Sequence, residues 1–482
     1  MVTSDRRRWL ALALLSVVQF MVVLDIAIVN VALPSIKVDL GFSQASLQWV
    51  ISAYALVFGG FLLLGGRAAD LLGRRRLFLT GIVVFTLSSL LAGFAWSEAS
   101  LIAARALQGL GAAVITPAAL SILSTTFVEG RERNIALGVW GAVGGFGAAA
   151  GLLLGGILTD TVGWEWNFFV NVPVGAAALA LTPRLLSESR DARVKSFDAA
   201  GAVLATVGLS SLVYAITQAG QDGWLAGKTV ASFAGALAVL VSFVAWELRH
   251  PEPLMRLGIF RSRTVSGANV ASFMLNITTL STFVTLTLYM QQVLGYSPMK
   301  TGLAFLAIAG NAIVSSTVAA QLVTRIGVKT VLLSGLTALA AGILYLSQIS
   351  VGGSYVADLL PGFLLIALGV GFSFVPISIA ALAGVEPAEA GLAAGLINTS
   401  QQIGSAVGIA ALSAIAAPRT DDALADGATQ ASALVTGFQT AFVAAVIVAG
   451  LAIAAALTLI RRDALEQGPE QVVGATALDL AA

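Results

Sequence analysis

The sequence predicts an all-α membrane protein of fourteen transmembrane helices. Three observations predict it: an apolar composition, the length of the apolar runs, and the placement of the bases between them. The chain has 482 residues, 58% apolar and 11% charged. Soluble domains carry about a quarter charged residues, so this chain has too few to coat the two or three soluble domains its length would otherwise hold. The net charge of +1 leaves no basic footprint for nucleic acid. With no cysteine, disulfides, zinc–thiolate sites and thiol nucleophiles are excluded. The single histidine, His250, sits in a charged stretch between apolar runs and reads as a loop residue.

A span needs about 20 apolar residues. Candidate spans lie near 9–36, 45–66, 77–97, 99–123, 135–159, 166–186, 197–219, 228–247, 264–292, 301–324, 329–349, 356–382, 391–416 and 433–460. The first follows Arg6-Arg7-Arg8 and is interrupted only by Asp25. It is too long for the core of a secretory signal and no small-residue cleavage site closes it, so it is read as a retained span. Strands of a membrane barrel would be about ten residues with strict alternation. These runs are longer and do not alternate, so helices must satisfy the backbone in lipid.

The positive-inside rule tests the count. With fourteen spans both termini are cytoplasmic, and most of the 26 Lys and Arg then fall on that side. Only Lys37, Lys228, Lys300 and Arg419 face outward, and Arg105 falls inside span 4. The loop after span 12 is the exception, with Glu386 and Glu389 and no base.

An internal repeat divides the chain. The joint between spans 2 and 3 (residues 66–76) and the joint between spans 10 and 11 (residues 320–329) align Gly73 on Gly327 and Arg75 on Lys329. The same joint after the second span of each half predicts two six-helix bundles with two helices inserted between them. The expected limits are 1–190 for the first bundle, 191–263 for the insert, 264–462 for the second bundle and 463–482 for a cytoplasmic tail. Repeated halves with a site between them at mid-membrane are a common plan for secondary transporters.

Asp25 is the only acid deep in a span. A central aspartate costs about 2.5–3.5 kcal/mol on insertion, and such residues are functional by default. A carboxyl in low dielectric can exchange a proton, and its ionised form attracts cations. Its bland reading is a structural partner for a polar neighbour. Arg105, the only base within a span, needs a counter-charge or carbonyls; pairing with Asp25, snorkelling outward and bonding carbonyls all remain open. Gly147, Gly151 and Gly155 share one helix face in span 5 and permit close backbone approach. Asp70, at a helix end beside arginines, suits either a conformational latch or a simple cap. No G-x-x-x-x-G-K-[ST] loop occurs, so ATP is not expected as the energy source.

Together these segments resemble the major facilitator superfamily, and within it the fourteen-span drug:proton antiporters of the EmrB/QacA type. The resemblance covers nearly the whole chain. Residues 24–34 match L-D-x-x-x-V-N-V-A-L-P, residues 66–75 match G-x-x-x-D-x-x-G-R-R, and residues 105–111 match R-x-x-Q-G-x-G. Residues 289–298 and 391–398 are similar to family stretches at the end of span 9 and in span 13. Two departures stand out. The span 5 motif G-x-x-x-G-P-x-x-G-G, at residues 147–156, has Leu152 in place of proline, and the W-R-W-x-F stretch, at residues 164–168, has Glu165 in place of arginine.

The resemblance implies proton-coupled export of amphipathic, often cationic, small molecules by alternating access, from a bacterial cell membrane. It implies a proton gradient as the energy source, no cofactor, no metal, lipid as the surrounding partner, and a monomer. It assigns proton coupling to Asp25 and Arg105, and gating to Gly66, Asp70, Gly73, Arg74 and Arg75. It assigns the antiporter helix contact to Gly147, Gly151, Gly155 and Gly156. Tyr54, Phe58, Phe273, Asn276, Tyr289, Phe372 and Phe374, with Asp25, are candidates to line a substrate cavity. The alternative within the same fold is a proton symporter importing peptides or other solutes, though peptide-uptake relatives carry an E-x-x-E-R cluster in span 1 that this chain lacks. A membrane enzyme or sensor would need clustered acids, histidines or a metal set at one depth, and the sequence offers one deep acid.

Overall fold

The computed structural model describes residues 2–127, 131–189, 198–251, 253, 257–383, 385 and 390–460, and among them there is no strand. The long helices are α1 (Val2–Leu40), α2 (Trp49–Leu72), α3 (Arg74–Gly93), α4 (Glu98–Thr126), α5 (Arg131–Thr161), α6 (Asn171–Leu185), α7 (Ala199–Asp222), α8 (Gly227–Arg249), α9 (Arg263–Leu288), α10 (Pro298–Ile326), α11 (Val328–Leu346), α12 (Leu360–Leu382), α13 (Ala390–Ala425) and α14 (Gln430–Leu459). Among the described residues, twelve helices are long and apolar enough to cross a membrane. The apolar stretches of α2 (Trp49–Leu62) and α5 (Ala150–Thr161) are shorter. The sequence expectation of fourteen spans is thus met by twelve on length and apolarity.

The helix ends follow local chemistry. Ser97 caps α4: its hydroxyl accepts the Ser100 N–H at 3.2 Å, while Ser100 Oγ accepts the Ser97 N–H at 3.0 Å. This reciprocal box satisfies two donors that the first turn leaves free. Ser297 caps α10 ahead of Pro298, which has no N–H to satisfy. Gly73 and Gly327 close α2 and α10 with φ of 114° and 84°, where a side chain would be strained.

The two joints aligned in the sequence are alike in space. Each glycine donates its N–H to the carbonyl four residues back, Gly73 to Ala69 and Gly327 to Val323. Each following base reaches the carbonyl end of another helix. Arg75 Nη1 donates to Leu186 O at 3.3 Å, just past α6, and Lys329 Nζ donates to Leu457 O and Ile460 O at 2.7 Å, at the end of α14. A cation suits the negative pole of a helix C-terminus.

The packing repeats in the same way. α1 packs on α5 and α6, α2 on α4, and α3 on α4 and α6. Likewise α9 packs on α13 and α14, α10 on α12, and α11 on α12 and α14. The two sets meet where α2 packs on α13 and α5 on α10. α7 fits against both α2 and α13, and α8 packs on α7, leaving Leu237, Val241 and Leu248 exposed.

The start of α1 and the end of α14 lie on one face, the latter beside Lys329 at the joint between α10 and α11. Arg7 Nε donates to Leu185 O at 3.3 Å, and Arg8 pairs with Glu132 at 3.2 Å, so the start of α1 lies with the end of α6 and the start of α5. The apolar core divides unequally along the helices. One cluster joins the second set to the half of the first set that lies away from the termini, including Ile28, Leu47, Leu101 and Phe168. A separate cluster holds the terminal half of the first set, including Leu15, Phe78 and Ile122. Close backbone approaches between the sets run from mid-helix toward the face opposite the termini. They are marked by Gly59 beside Gln402, Gly156 beside Pro298 and Gly302 beside Leu152. Gln291, in a π-turn over Tyr289–Val293 that extends α9, adds a hydrogen bond to Val31 O at 2.8 Å. The two sets are therefore sealed together toward the face opposite the termini.

Candidate functional site

Four helices of the first set and the one-turn helix Trp166–Phe169 converge on one polar cluster inside the apolar core. α1 supplies Asp25, α3 Ser89, α4 Arg105 and Gln108, α6 Asn171, and the short helix Phe168. Asp25, Ser89, Arg105, Gln108 and Phe168 have no exposed surface, and Asn171 is 1% exposed. Arg105 and Gln108 are one turn apart on α4, which places them on the same face.

The hydrogen bonds can be followed proton by proton. Arg105 Nη1 donates to Asp25 Oδ2 at 2.5 Å and to Gln108 Oε1 at 2.9 Å, and Nε donates to Val50 O at 2.9 Å. Gln108 Nε2 donates to Asp25 Oδ1 and to Ser89 Oγ, each at 3.0 Å. Asn171 Nδ2 donates to the same two oxygens, at 2.8 and 3.0 Å. Ser89 Oγ sends its own proton to Phe168 O at 2.9 Å. Asp25 therefore accepts from a guanidinium on one oxygen and from two carboxamides on the other. This is the hydrogen-bonding pattern of an ionised carboxylate, which only accepts. A proton arriving on Asp25 removes the charge that the guanidinium compensates and adds a donor to the carboxyl, which weakens the hydrogen bond from Arg105 most.

Arg105 is also held by aromatic faces. Its guanidinium carbon lies 4.4 Å from the centre of the Tyr54 ring and 5.8 Å from that of Phe168, within cation–π range. Phe58 meets Tyr54 edge-on at 5.8 Å. One guanidinium nitrogen, Nη2, has no hydrogen-bond partner among the described residues. A buried arginine proton with no acceptor is costly, so the cation is held fully only on its Asp25 side.

The glycine face of α5 borders this cluster. A Cβ on Gly151 would meet Leu24 O at 2.8 Å, and one on Gly155 would meet Ile28 O at 2.5 Å, so these glycines let α5 lie against α1 on either side of Asp25. Gly147 faces Phe20 and Val23 on the same helix. Gly156 points elsewhere, toward Pro298 O of α10 at 2.5 Å. Leu152 is buried on α5, with its carbonyl 2.5 Å from where a Cβ on Gly302 would stand.

At the joint between α2 and α3, the partner is Glu188, just past α6. Its Oε1 accepts the N–H groups of Arg75 and Ser189, each at 3.1 Å. Its Oε2 lies 3.9 Å from Arg75 Nε and 3.7 Å from Arg76 Nε. The Arg74 N–H donates to Ser189 O at 3.0 Å. Gly66 lies against Pro117 of α4. The side chain of Asp70 lies outside the described residues.

The cavity-lining candidates do not come together. Tyr54 and Phe58 belong to the Arg105 cluster. Asn276 donates to Ser272 O on its own helix at 2.9 Å, and Phe273 O packs against Gly404 of α13. Tyr289 donates to Ser350 O at 2.7 Å. Phe372 packs on Gly335 of α11, and Phe374 is 40% exposed on the outer surface of α12. His250 is a loop residue, as expected, directly after α8; its N–H donates to Trp246 O and its ring stacks on Trp246 at 5.5 Å.

Sequence reasoning passed over Ser89, Asn171 and Glu188, and quoted Gln108 only as part of a motif. A signal for the first two was present. Ser89 interrupts a charge-free apolar run, and Asn171 stands one turn after Asn167 in another.

The sequence model described as Major Facilitator Superfamily matches residues 15–409. This chain belongs to the Major Facilitator Superfamily. It is a multi-pass membrane transporter, and its relatives are bacterial. It is 43% identical to the puromycin resistance protein pur8 of Streptomyces alboniger over 90% of this chain and 86% of that one. It is 41% identical to the cephamycin export protein CmcT of Amycolatopsis lactamdurans, over 83% and 84%. Among solved structures, a peptide transporter POT in complex with sulfate superposes with a TM-score of 0.67 at 17% identity, over 93% of this chain and 94% of that one. An inward-facing, unoccupied bacterial homologue of the human lysosomal transporter Spinster gives a TM-score of 0.64 at 16% identity, over 94% and 98%. At these identities the two structures speak for the superfamily fold alone.

Proposed function

We propose that this superfamily member exports amphipathic, often cationic, small molecules in exchange for protons, as a fourteen-span drug antiporter of the EmrB/QacA type. The observation that carries the coupling is the dry Asp25–Arg105 pair. Asp25 accepts three hydrogen bonds as a carboxylate, and its protonation weakens the charge-assisted contacts that tie α1 to α4 and α6. Proton binding is thereby linked to helix rearrangement. The export direction is supported by kinship with proteins named for puromycin resistance, cephamycin export, tetracenomycin C export and lincomycin resistance.

In this reading α2 and α5 complete the fourteen spans, residues 1–190 and 264–462 are the two bundles, and α7 and α8 are the insert. Both termini lie in the cytoplasm, where the bases concentrate. The seal between the bundles is then on the outer side, and the conformation faces the cytoplasm. The protein works as a monomer in lipid, without cofactor. Proteoliposomes preloaded with a fluorescent cation and given a pH gradient test the scheme. Cation movement should follow the gradient in the native chain and lose its dependence on the gradient in Asp25→Asn; gradient-driven movement unchanged in that variant refutes the coupling role.

A further inference from the structure

Two cavities lie at the face opposite the termini, and the coupling scheme uses neither. The smaller, of about 490 Å³, is bounded by α1, α7, α9, α13 and α14 and by Gln48 just ahead of α2. The larger, of about 920 Å³, adjoins it across Lys37, Gln430 and Leu434. Pockets for organic ligands run to about 300–1,000 Å³, with apolar walls and a few placed polar groups. The smaller cavity has that makeup, with Leu288, Ile409 and Phe438 as apolar wall and Gln48, Thr217 and Asp421 as polar points.

Gln48 is the unusual member. It is 5% exposed. Its Nε2 donates to Thr217 Oγ1 at 2.8 Å, and Thr217 in turn donates to Val213 O at 2.9 Å. This chain fixes the carboxamide, yet Gln48 Oε1 has no donor among the described residues. A buried carbonyl oxygen without a donor is unfavourable until something donates to it. Thr217 belongs to α7, so the insert forms part of the wall. The charge nearby favours cations. Asp421 lies at the edge of the smaller cavity, and Asp39 and Glu165 line the larger. Facing them are Lys37 on the shared wall and Lys300, seated over the Tyr296 ring at 3.7 Å. Across the two cavities three carboxylates stand against two bases, and this small excess of negative charge favours a cation. Glu165, the acid where the family pattern has arginine, adds to this field.

We propose that the smaller cavity is a second binding site, on the side where export ends, for an amphipathic organic amine. The ammonium faces Asp421, an N–H of the ligand donates to Gln48 Oε1, and the apolar body rests on Leu288, Ile409 and Phe438. The site deepens the export reading and rests on it for its role as a release station. α7 thereby becomes part of the solute path.

The chain has no cysteine, so Ser413→Cys, on the cavity wall, places one unique thiol there. Modification of the purified full-length variant by a charged methanethiosulfonate, which forms a mixed disulfide with the thiol and releases methanesulfinate, is timed with and without puromycin, an amphipathic amine. Puromycin at four times its dissociation constant should slow labelling about fivefold by simple occupancy. Adding Gln48→Leu should raise the half-protecting concentration about tenfold, the effect of one hydrogen bond. Adding Asp421→Asn, at an exposed position outside the packed core, should raise it about threefold. A thiol that never reacts, or one that reacts at the same rate at every puromycin concentration, overturns the site. So does protection that neither substitution weakens. The same preparation is assayed for gradient-driven puromycin transport. Transport without protection removes this site and leaves the export reading; protection without transport keeps the site and removes the export reading.

Discussion

Replacing Arg105 with leucine leaves the Asp25 carboxylate in a dry core with only two carboxamide donors. Breaking a buried ion pair by removing one member costs about 3–5 kcal/mol, because the remaining charge has no compensation. The upper part of that range applies here. Both residues are fully buried, and the substitution also takes the donor away from Val50 O and Gln108 Oε1. Adding Asp25→Asn to Arg105→Leu removes the orphaned charge. The single amide oxygen still accepts from Gln108 and Asn171, and the new NH₂ occupies the side the guanidinium has left. The double variant should therefore recover about 2 kcal/mol, within the range seen for directly contacting residues. The assay is thermal stability of the full chain in detergent, followed by size-exclusion elution after heating. Arg105→Leu should lower the midpoint by about 5–10 °C, at the shallow end of the scaling for long chains, and the double variant should regain about half of that. Equal midpoints for the single and double variants would mean that the pair contributes no charge compensation, and the coupling argument built on it would fall.

Three further outcomes follow from the geometry. Gly156→Ala sets a methyl 2.5 Å from Pro298 O at the seal between the sets; it should loosen that seal, read as faster alkylation of Met299→Cys in the variant than in the otherwise native chain. Gly73→Ala should cost about 1–3 kcal/mol, because φ is 114° and the new Cβ would meet Glu188 Oε1 at 2.8 Å; Glu188→Gln should cost less than about 1 kcal/mol, since its ion pairs with Arg75 and Arg76 are partly exposed, and thermal melts of the two variants compare them directly. At the base of α7, burial alone would raise the Asp198 carboxyl, but hydrogen bonds with the Gly201 N–H, the Trp246 indole and Glu247, together with nearby His250, outweigh it and hold the carboxyl below its ordinary range. A depressed folded value means the stabilisation is complete above the unfolded value of about 3.9 and is lost as pH falls through the lower folded value; melts at pH 7 and pH 5 should agree in this respect, and Asp198→Asn should flatten the loss seen below about pH 4.

Length and composition were enough to assign helices, because lipid leaves a spanning backbone no other way to pair its groups. The repeat was legible in one glycine and one base per joint, since a positive φ and a cation at a helix C-terminus are local requirements that leave local marks. Asp25 and Arg105 stood out individually because each is expensive in an apolar run. Their partnership was not legible: they are 80 positions apart, and only the packing of α1 against α4 brings carboxylate and guanidinium into contact. Ser89, Asn171 and Glu188 escaped notice for the same reason, being ordinary polar residues whose meaning comes from what the fold puts beside them. The aromatic candidates are the opposite case. An aromatic side chain packs equally well against a neighbouring helix, a lipid tail or a solute, so its position along a span does not say which. What the sequence determined alone was the class of structure and the costly residues within it. The tertiary structure decided which of them meet, because hydrogen bonds and ion pairs act over a few ångströms of space and are indifferent to separation along the chain.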